Sequence, residues 1–236
     1  MAEWLSSIKA LTFDTGGTVL DWHAALHDAF ARAGEKHGLA RDWHTVVNDH
    51  RRGTMKRIVG QVQPSFTMDD VHRRMVDVVA EIHGLDAFTP DDRDDIAAAW
   101  HRAACWPDFL PALARLRARL PCVSFTLLPV RLILDVSRRN GFAWDMVVSC
   151  EMIGIYKSDQ RAYATCARWL QFEPSELLMV ACHNFDLDAA KKAGYRTAFI
   201  RRPDEWGPAG PPDPKPNPIH DLVFDRFSEL ADALGC

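Results

Sequence analysis

The chain has 236 residues, 47% of them apolar and 25% charged, and its 28 Lys and Arg stand against 32 Asp and Glu for a net charge of −4. The apolar share excludes a wholly disordered chain, and the slight acidity argues against nucleic acid, which asks for a basic face. No stretch approaches the roughly 18 apolar residues of a membrane span.

The first predicted element is a short apolar strand, 8–13, running into the turn-rich DTGGT. Before it, MAEWLSSIKALTF has neither a basic leader nor a small-residue cleavage site, so an unsecreted, cytoplasmic protein is expected. Trp22, Leu26, Phe30 and Ala33 then recur at helical spacing, and further helices fit 42–59, 68–83 and 90–104. The last of these has Thr89 as a cap, Pro90 at the first helical position and acidic residues after it. No strand is expected between about 20 and 104.

Beyond Trp106-Pro107 the pattern alternates: helix 108–119, apolar run 122–128, helix 130–140, strand 146–149, helix 159–170 with Ser158 as its cap, strand 177–182, helix 186–193 and strand 197–200. Such alternation implies parallel strands with crossover helices. The proline-rich stretch 203–218 reads as an extended surface loop, and Arg201-Arg202 before it as a solvated pair. The fold class is therefore α/β: a Rossmann-like parallel core of residues 1–20 and 105–236, carrying an all-helical cap domain, 21–104, inserted after the first strand. The six cysteines form no C-x-x-C pair and mostly sit in apolar segments, so reduced thiols are expected rather than zinc ligands or disulfides. Trp100, Trp106 and Trp144 are read as core, and the histidines other than His183 are given no role.

Ligands of open parallel sheets bind beyond the carboxyl ends of the strands. Four such ends carry reactive groups in chain order: Asp14, with Thr15, Gly16 and Thr18 after it; Thr126, with Leu127; Lys157; and His183-Asn184-Phe185-Asp186. A carboxylate at a strand end, surrounded by backbone N–H groups, is suited to nucleophilic attack.

This set resembles the haloacid dehalogenase superfamily over nearly the whole chain. FDTGGTVLDW is similar to the first motif of its hydrolytic 2-haloacid dehalogenase branch, KSDQRAY to the lysine motif with Ser158 in place of proline, and VACHNFDLDAAKKAGYRTAFIRRP to the acidic motif. The resemblance implies that Asp14 attacks a halogen-bearing carbon, that Lys157 keeps it ionised, that Asp186 holds Lys157 or activates water with His183 as the second candidate base, and that Thr18 and Thr126 supply hydroxyls. Thr15, Gly16, Leu127, Asn184 and Phe185 would line the substrate. Arg51, with Arg52 as its near rival, would meet the halide or the carboxylate of a small 2-haloalkanoate. A homodimer is also implied.

Phosphatases of the superfamily carry a second aspartate where this chain has Gly16, which cannot protonate a leaving alcohol. His183 and Asn184 replace acidic Mg²⁺ ligands, and magnesium prefers oxygen donors. Halide leaves without a proton, so a hydrolase using no metal and no cofactor is expected. A Mg²⁺-dependent phosphatase is the alternative, and Leu127, standing where the branch has a hydrogen-bonding Asn, keeps open a weak or silent binder of small carboxylates.

Overall fold

The computed structural model describes residues 3–236; residues 1 and 2 of the expected core segment lie outside it. The apolar run near the start of the chain is β1 (Ala10–Phe13), buried at every position. It continues through a two-residue strand β2 (Leu20–Asp21) into α1 (Trp22–Lys36), α2 (Trp43–Ile58), α3 (Met68–Ile82) and α4 (Pro90–Ala98), and returns through β3 (Ala104–Cys105). Then come α5 (Phe109–Arg117), β4 (Cys122–Thr126), α6 (Val130–Asn140), β5 (Met146–Ser149), α7 (Cys150–Ile153), α8 (Gln160–Leu170), β6 (Leu177–Ala181), α9 (Asn184–Lys192), β7 (Arg196–Ile200), β8 (Leu222–Phe224) and α10 (Phe227–Ala233).

Six strands form one parallel sheet in the order β5-β4-β1-β6-β7-β8. Parallel crossovers demand helices on both faces, which is why β1, β4 and β6 are buried throughout. The chain grows outward from β1 through β4 to β5, then restarts on the other side of β1 with β6. That switch opens a crevice beyond the end of β1. Phe13 lies in register with Ser124 and Val180, so the residues after β1, β4 and β6 emerge side by side.

Two local expectations need correction. The helix expected over 90–104 begins as read, with Thr89 capping and Pro90 in its first turn. It ends at Ala98, however, and a short 3-10 turn follows (Ala99–Arg102). The Asn140 side chain accepts from Cys105 N–H and donates to Ala103 C=O, drawing the chain out to pair as β3 with β2 in an antiparallel ribbon. Asp159, not Ser158, caps α8, its carboxylate accepting from Arg161 N–H. Past the proline-rich stretch 203–218, where no element was assigned, β8 extends the sheet beside β7 and α10 packs behind it.

The helices between β2 and β3 lie over the strand ends and bond to the sheet's loops. Gly60 N–H donates to Lys157 C=O at 2.7 Å, Tyr156 N–H to Gln61 C=O at 2.9 Å, and the Asn48 amide to Trp206 C=O at 3.1 Å. No helix among the described residues is long and apolar enough to cross a membrane, and all six cysteines are free thiols.

Candidate active site

Asp14 ends β1, with its N–H bonded to Val180 C=O at 3.0 Å and its side chain nearly buried. One carboxylate oxygen, Oδ2, accepts from Thr18 Oγ1 at 2.8 Å and faces His183 Nδ1 at 3.2 Å. The other, Oδ1, meets only Lys157 Nζ, at 3.4 Å. Thr18 Oγ1 itself accepts from Cys182 N–H at 3.0 Å, which leaves its own proton for Asp14.

Lys157 is fully buried, 2.7 Å from Asp186 Oδ2, with its ammonium over the Phe125 ring at 4.6 Å. Asp186 Oδ1 accepts from the Tyr163 hydroxyl at 2.5 Å. Burial alone would raise the Asp14 pKa, but Lys157, His183 and Thr18 together hold it well below the usual carboxylate range. Burial opposes the Lys157 ammonium, yet Asp186 and Asp14 raise its pKa. Burial pushes the Asp186 carboxyl upward against the pull of Lys157.

His183 stands between two carboxylates, with Nδ1 toward Asp14 and Nε2 2.9 Å from Glu205 Oε1. Burial disfavours the imidazolium; Cys182, Glu205 and Asp14 together override it and lift the pKa well above 6.5. Cys182 takes no charged part at neutral pH, because burial pushes its thiol up to about 11. Glu205, itself buried and also bonded to Trp22 Nε1 at 2.9 Å, is held ionised by His183 against desolvation. It also fixes Gly17, where a Cβ would lie 2.0 Å from Glu205 Oε1 on a backbone with φ +93°.

The remaining cation is Arg51, on α2. Its guanidinium lies between the rings of Trp22 and Trp100, 5.2 Å from each, and the residue is only 3% exposed. Its Nε has no hydrogen-bond partner, and among the described residues no carboxylate is hydrogen-bonded to the group; Glu205 and Asp14 act on it only through space. Burial lowers its pKa, but a guanidinium stays charged. A Cβ at Gly16 would face Arg51 Nη2 at 3.8 Å, Leu128 Cδ1 at 3.7 Å and Trp100 at 3.9 Å. The space beside Gly16 is therefore bounded by one cation and apolar walls. Asp14, Asp186 and Glu205 balance Lys157, His183 and Arg51, so the cluster is neutral overall.

The structure brings Asp14, Gly16, Thr18, Arg51, Lys157, His183 and Asp186 together, and Phe185 lines a cavity of about 350 Å³ with Arg51, His183 and Trp206. Other expected residues sit differently. Thr15 turns its hydroxyl to Ser124 at 2.8 Å, inside the sheet. Thr126 Oγ1 accepts from Leu128 N–H at 3.1 Å and closes the turn after β4; no bond from it to Asp14 is formed. Asn184 points away from Asp14. Its amide donates to Lys215 C=O at 2.8 Å and accepts from Asn217 N–H and His220, fastening the proline-rich segment.

Leu127 is buried and donates nothing from its side chain. Arg52 is largely exposed and paired with Asp49. Arg202, read as solvated, is buried: it donates to Thr18 C=O at 3.1 Å and pairs with Asp108. Trp100 is core as expected, yet it also walls the cation. Glu205, Trp22, Tyr163 and Cys182 were given no role from sequence. Tyr163 lies within the quoted lysine motif, whereas nothing in the aperiodic segment around Glu205 marks it.

The insertion after β1, the sheet order and the Asp14–Lys157–Asp186 cluster at the strand ends define a hydrolase on a doubly wound α/β core. A family model for haloacid dehalogenase-like hydrolases matches residues 8–194, and the chain belongs to that family. It is similar to the defluorinating L-2-haloacid dehalogenase Rha0230, at 32% identity and a TM-score of 0.89 over 97% of this chain and 96% of that one. The L-2-haloacid dehalogenase PA0810 matches at 32% identity with a TM-score of 0.86, covering 96% and 99%. (S)-2-haloacid dehalogenase 1 of Pseudomonas sp. (strain CBS-3) is 26% identical over 205 residues, 84% of this chain and 86% of its own.

Proposed function

We propose that this protein hydrolyses the carbon–halogen bond of a small 2-haloalkanoate through an ester on Asp14, without a metal ion. The observation that carries the reading is Arg51: a buried guanidinium to which no described carboxylate is hydrogen-bonded, facing the space beside a carboxylate held ionised. A buried guanidinium whose donors lack hydrogen-bonded acceptors is costly, and an anion that accepts from them offsets that cost. A substrate carboxylate or a departing halide supplies that anion. The dehalogenases that the chain resembles support the same chemistry.

In this reading Asp14 Oδ1, the less encumbered oxygen, attacks the halogen-bearing carbon, and the carbon–halogen electron pair leaves as halide. Loss of the Asp14 charge removes one of the two carboxylates that keep His183 protonated, so His183 releases its proton to solvent. It then accepts a proton from the water that attacks the Asp14 carbonyl carbon. Thr18, its hydroxyl aimed by Cys182 N–H, donates to the developing negative charge on Oδ2. On collapse the remaining proton of the added water passes to the departing oxygen, which expels the 2-hydroxy acid and restores the carboxylate and the imidazolium, with one proton and one halide released per turnover.

His183 is favoured over Asp186 as the base because both Asp186 oxygens are engaged and the residue is fully buried. Asp186 and Tyr163 then serve as positioning residues for Lys157. The donor set does not suit magnesium, since Asp186 is taken by Lys157 and an imidazolium stands at 183. The phosphatase alternative also lacks its acid, because Gly16 presents open space to an arginine. Residues 21–104 act in this reading as the cap that delivers Arg51 to the core's strand ends. The free, mostly buried thiols favour a reducing compartment.

Single turnover in ¹⁸O-labelled water tests the central step. Label is expected in the Asp14 carboxylate, read by mass spectrometry of its peptide. Label appearing first in the hydroxy acid would mean direct attack by water and would overturn the ester.

A further inference from the structure

Beside Asp14 three potential ligands converge. His183 Nε2 is 2.9 Å from Glu205 Oε1, Cys182 Sγ is 3.5 Å from His183 Nε2, and Cys182 Sγ is 3.6 Å from Glu205 Oε2. All three residues are buried, and one ligand atom from each lies within 4.8 Å of the others. We propose that Cys182, His183 and Glu205 form a binding site for a thiophilic divalent cation of the zinc class, and that its occupation switches the enzyme off.

The spacing fits such an ion. With bonds of about 2.3 Å to sulfur and about 2.0–2.2 Å to nitrogen and oxygen, a tetrahedral centre sets its ligands about 3.4–3.6 Å apart. Cys182 Sγ already stands at that distance from His183 Nε2 and from Glu205 Oε2. The other Glu205 oxygen, Oε1, has to leave its 2.9 Å contact with His183 Nε2 for the ion to enter. Two adjacent positions (182 and 183) and one brought by the loop after β7 therefore make three corners of a tetrahedron.

The donor set also fits. A soft thiolate ligand selects zinc-like ions over magnesium. Access exists as well: Cys182 lines a cavity of about 270 Å³ with Arg202, Asp213 and the prolines at 203, 211 and 214, which gives room for a water as fourth ligand.

The switching half rests on the mechanism proposed above. An ion on Nε2 leaves Nδ1 carrying the only proton of the ring, so His183 has no lone pair with which to accept one from water. It also draws Glu205 off Trp22 Nε1, which the carboxylate now holds.

The test uses purified protein in a thiol-free reductant, with Co²⁺ and Zn²⁺ as the probes. Expected are one ion per chain, a thiolate-to-cobalt charge-transfer band in the near ultraviolet, and halide release that zinc suppresses and a chelator restores. Cys182→Ser and Cys182→Ala should lose the band and bind zinc more weakly by at least the roughly 10–100-fold that losing a ligand's outer partner costs, while Mg²⁺ should neither bind nor inhibit. Absence of the band in the unaltered protein, or equal zinc affinity in both variants, would overturn the site. Zinc bound with the band present but halide release untouched would overturn the switch and, with it, the assignment of His183 as base.

Discussion

Replacing Gly16 by Asp tests the anion subsite from within. The backbone at 16 is open to an ordinary side chain, and the nearest atoms to a Cβ there lie at 3.7–3.9 Å, normal van der Waals contact. The new carboxylate would reach Arg51 Nη2, itself 3.8 Å from that Cβ. Two unit charges about 4 Å apart at an effective dielectric of about 20 attract by about 4 kcal/mol, a factor of about 10³. Burying the added carboxylate returns part of this, so kcat/KM for halide release should fall about 10²-fold, mainly through KM. Because the new carboxylate is paired with the guanidinium rather than buried alone, Tm should change little. Gly16→Ala, which adds bulk and no charge, should cost less activity. Steady-state halide release and thermal unfolding on the three proteins decide the matter. An aspartate variant within tenfold of the parent, or one whose loss of activity follows a loss of stability, would refute the assignment of Arg51.

The two arginines should separate cleanly: Arg51→Met abolishes halide release without loss of Tm, whereas Arg52→Ala shifts stability by less than about 0.5 kcal/mol, as for other exposed pairs. Asn184→Ala removes several bonds to the proline-rich segment and should cost about 1–3 kcal/mol in denaturant unfolding, with a smaller effect on kcat than on stability. The His183 pKa is raised above its ordinary 6.5. Its charge therefore stabilises the fold fully below about pH 6.5, and that stability fades as pH rises through the folded-state value. Tm should decline on the alkaline side, and Glu205→Gln, by removing one counter-charge, should lower Tm near neutrality and flatten that decline. Parallel pH curves for the two proteins would count against the ion pair.

The strand ends were readable because parallel strands buried on both faces are short apolar runs, and the reactive groups follow them directly. Arg51 could also be separated from Arg52 by period alone, since Val47, Arg51, Thr54 and Ile58 form the buried face of α2. Polar side chains near the crevice were harder to place. Thr126, Thr15 and Asn184 stand at the right chain positions, but each hydroxyl or amide has a local partner that composition does not reveal. Glu205 was invisible for a different reason. Its segment has no period, and its importance arises only where the loop after β7 folds back onto β6. The strand β8, three half-buried residues long, left too short a pattern to read.

Trp22 opens α1, directly after the outgoing strand β2, and Trp100 stands in the turn just before the returning strand β3. Both indoles thus belong to the stem by which the helical insertion is attached, while Arg51 hangs from its middle. Pivoting of the insertion about that stem would part the aromatic jaws from the guanidinium and carry the charge off the crevice in one movement. Letting go of a product anion and opening the way out would then be the same event.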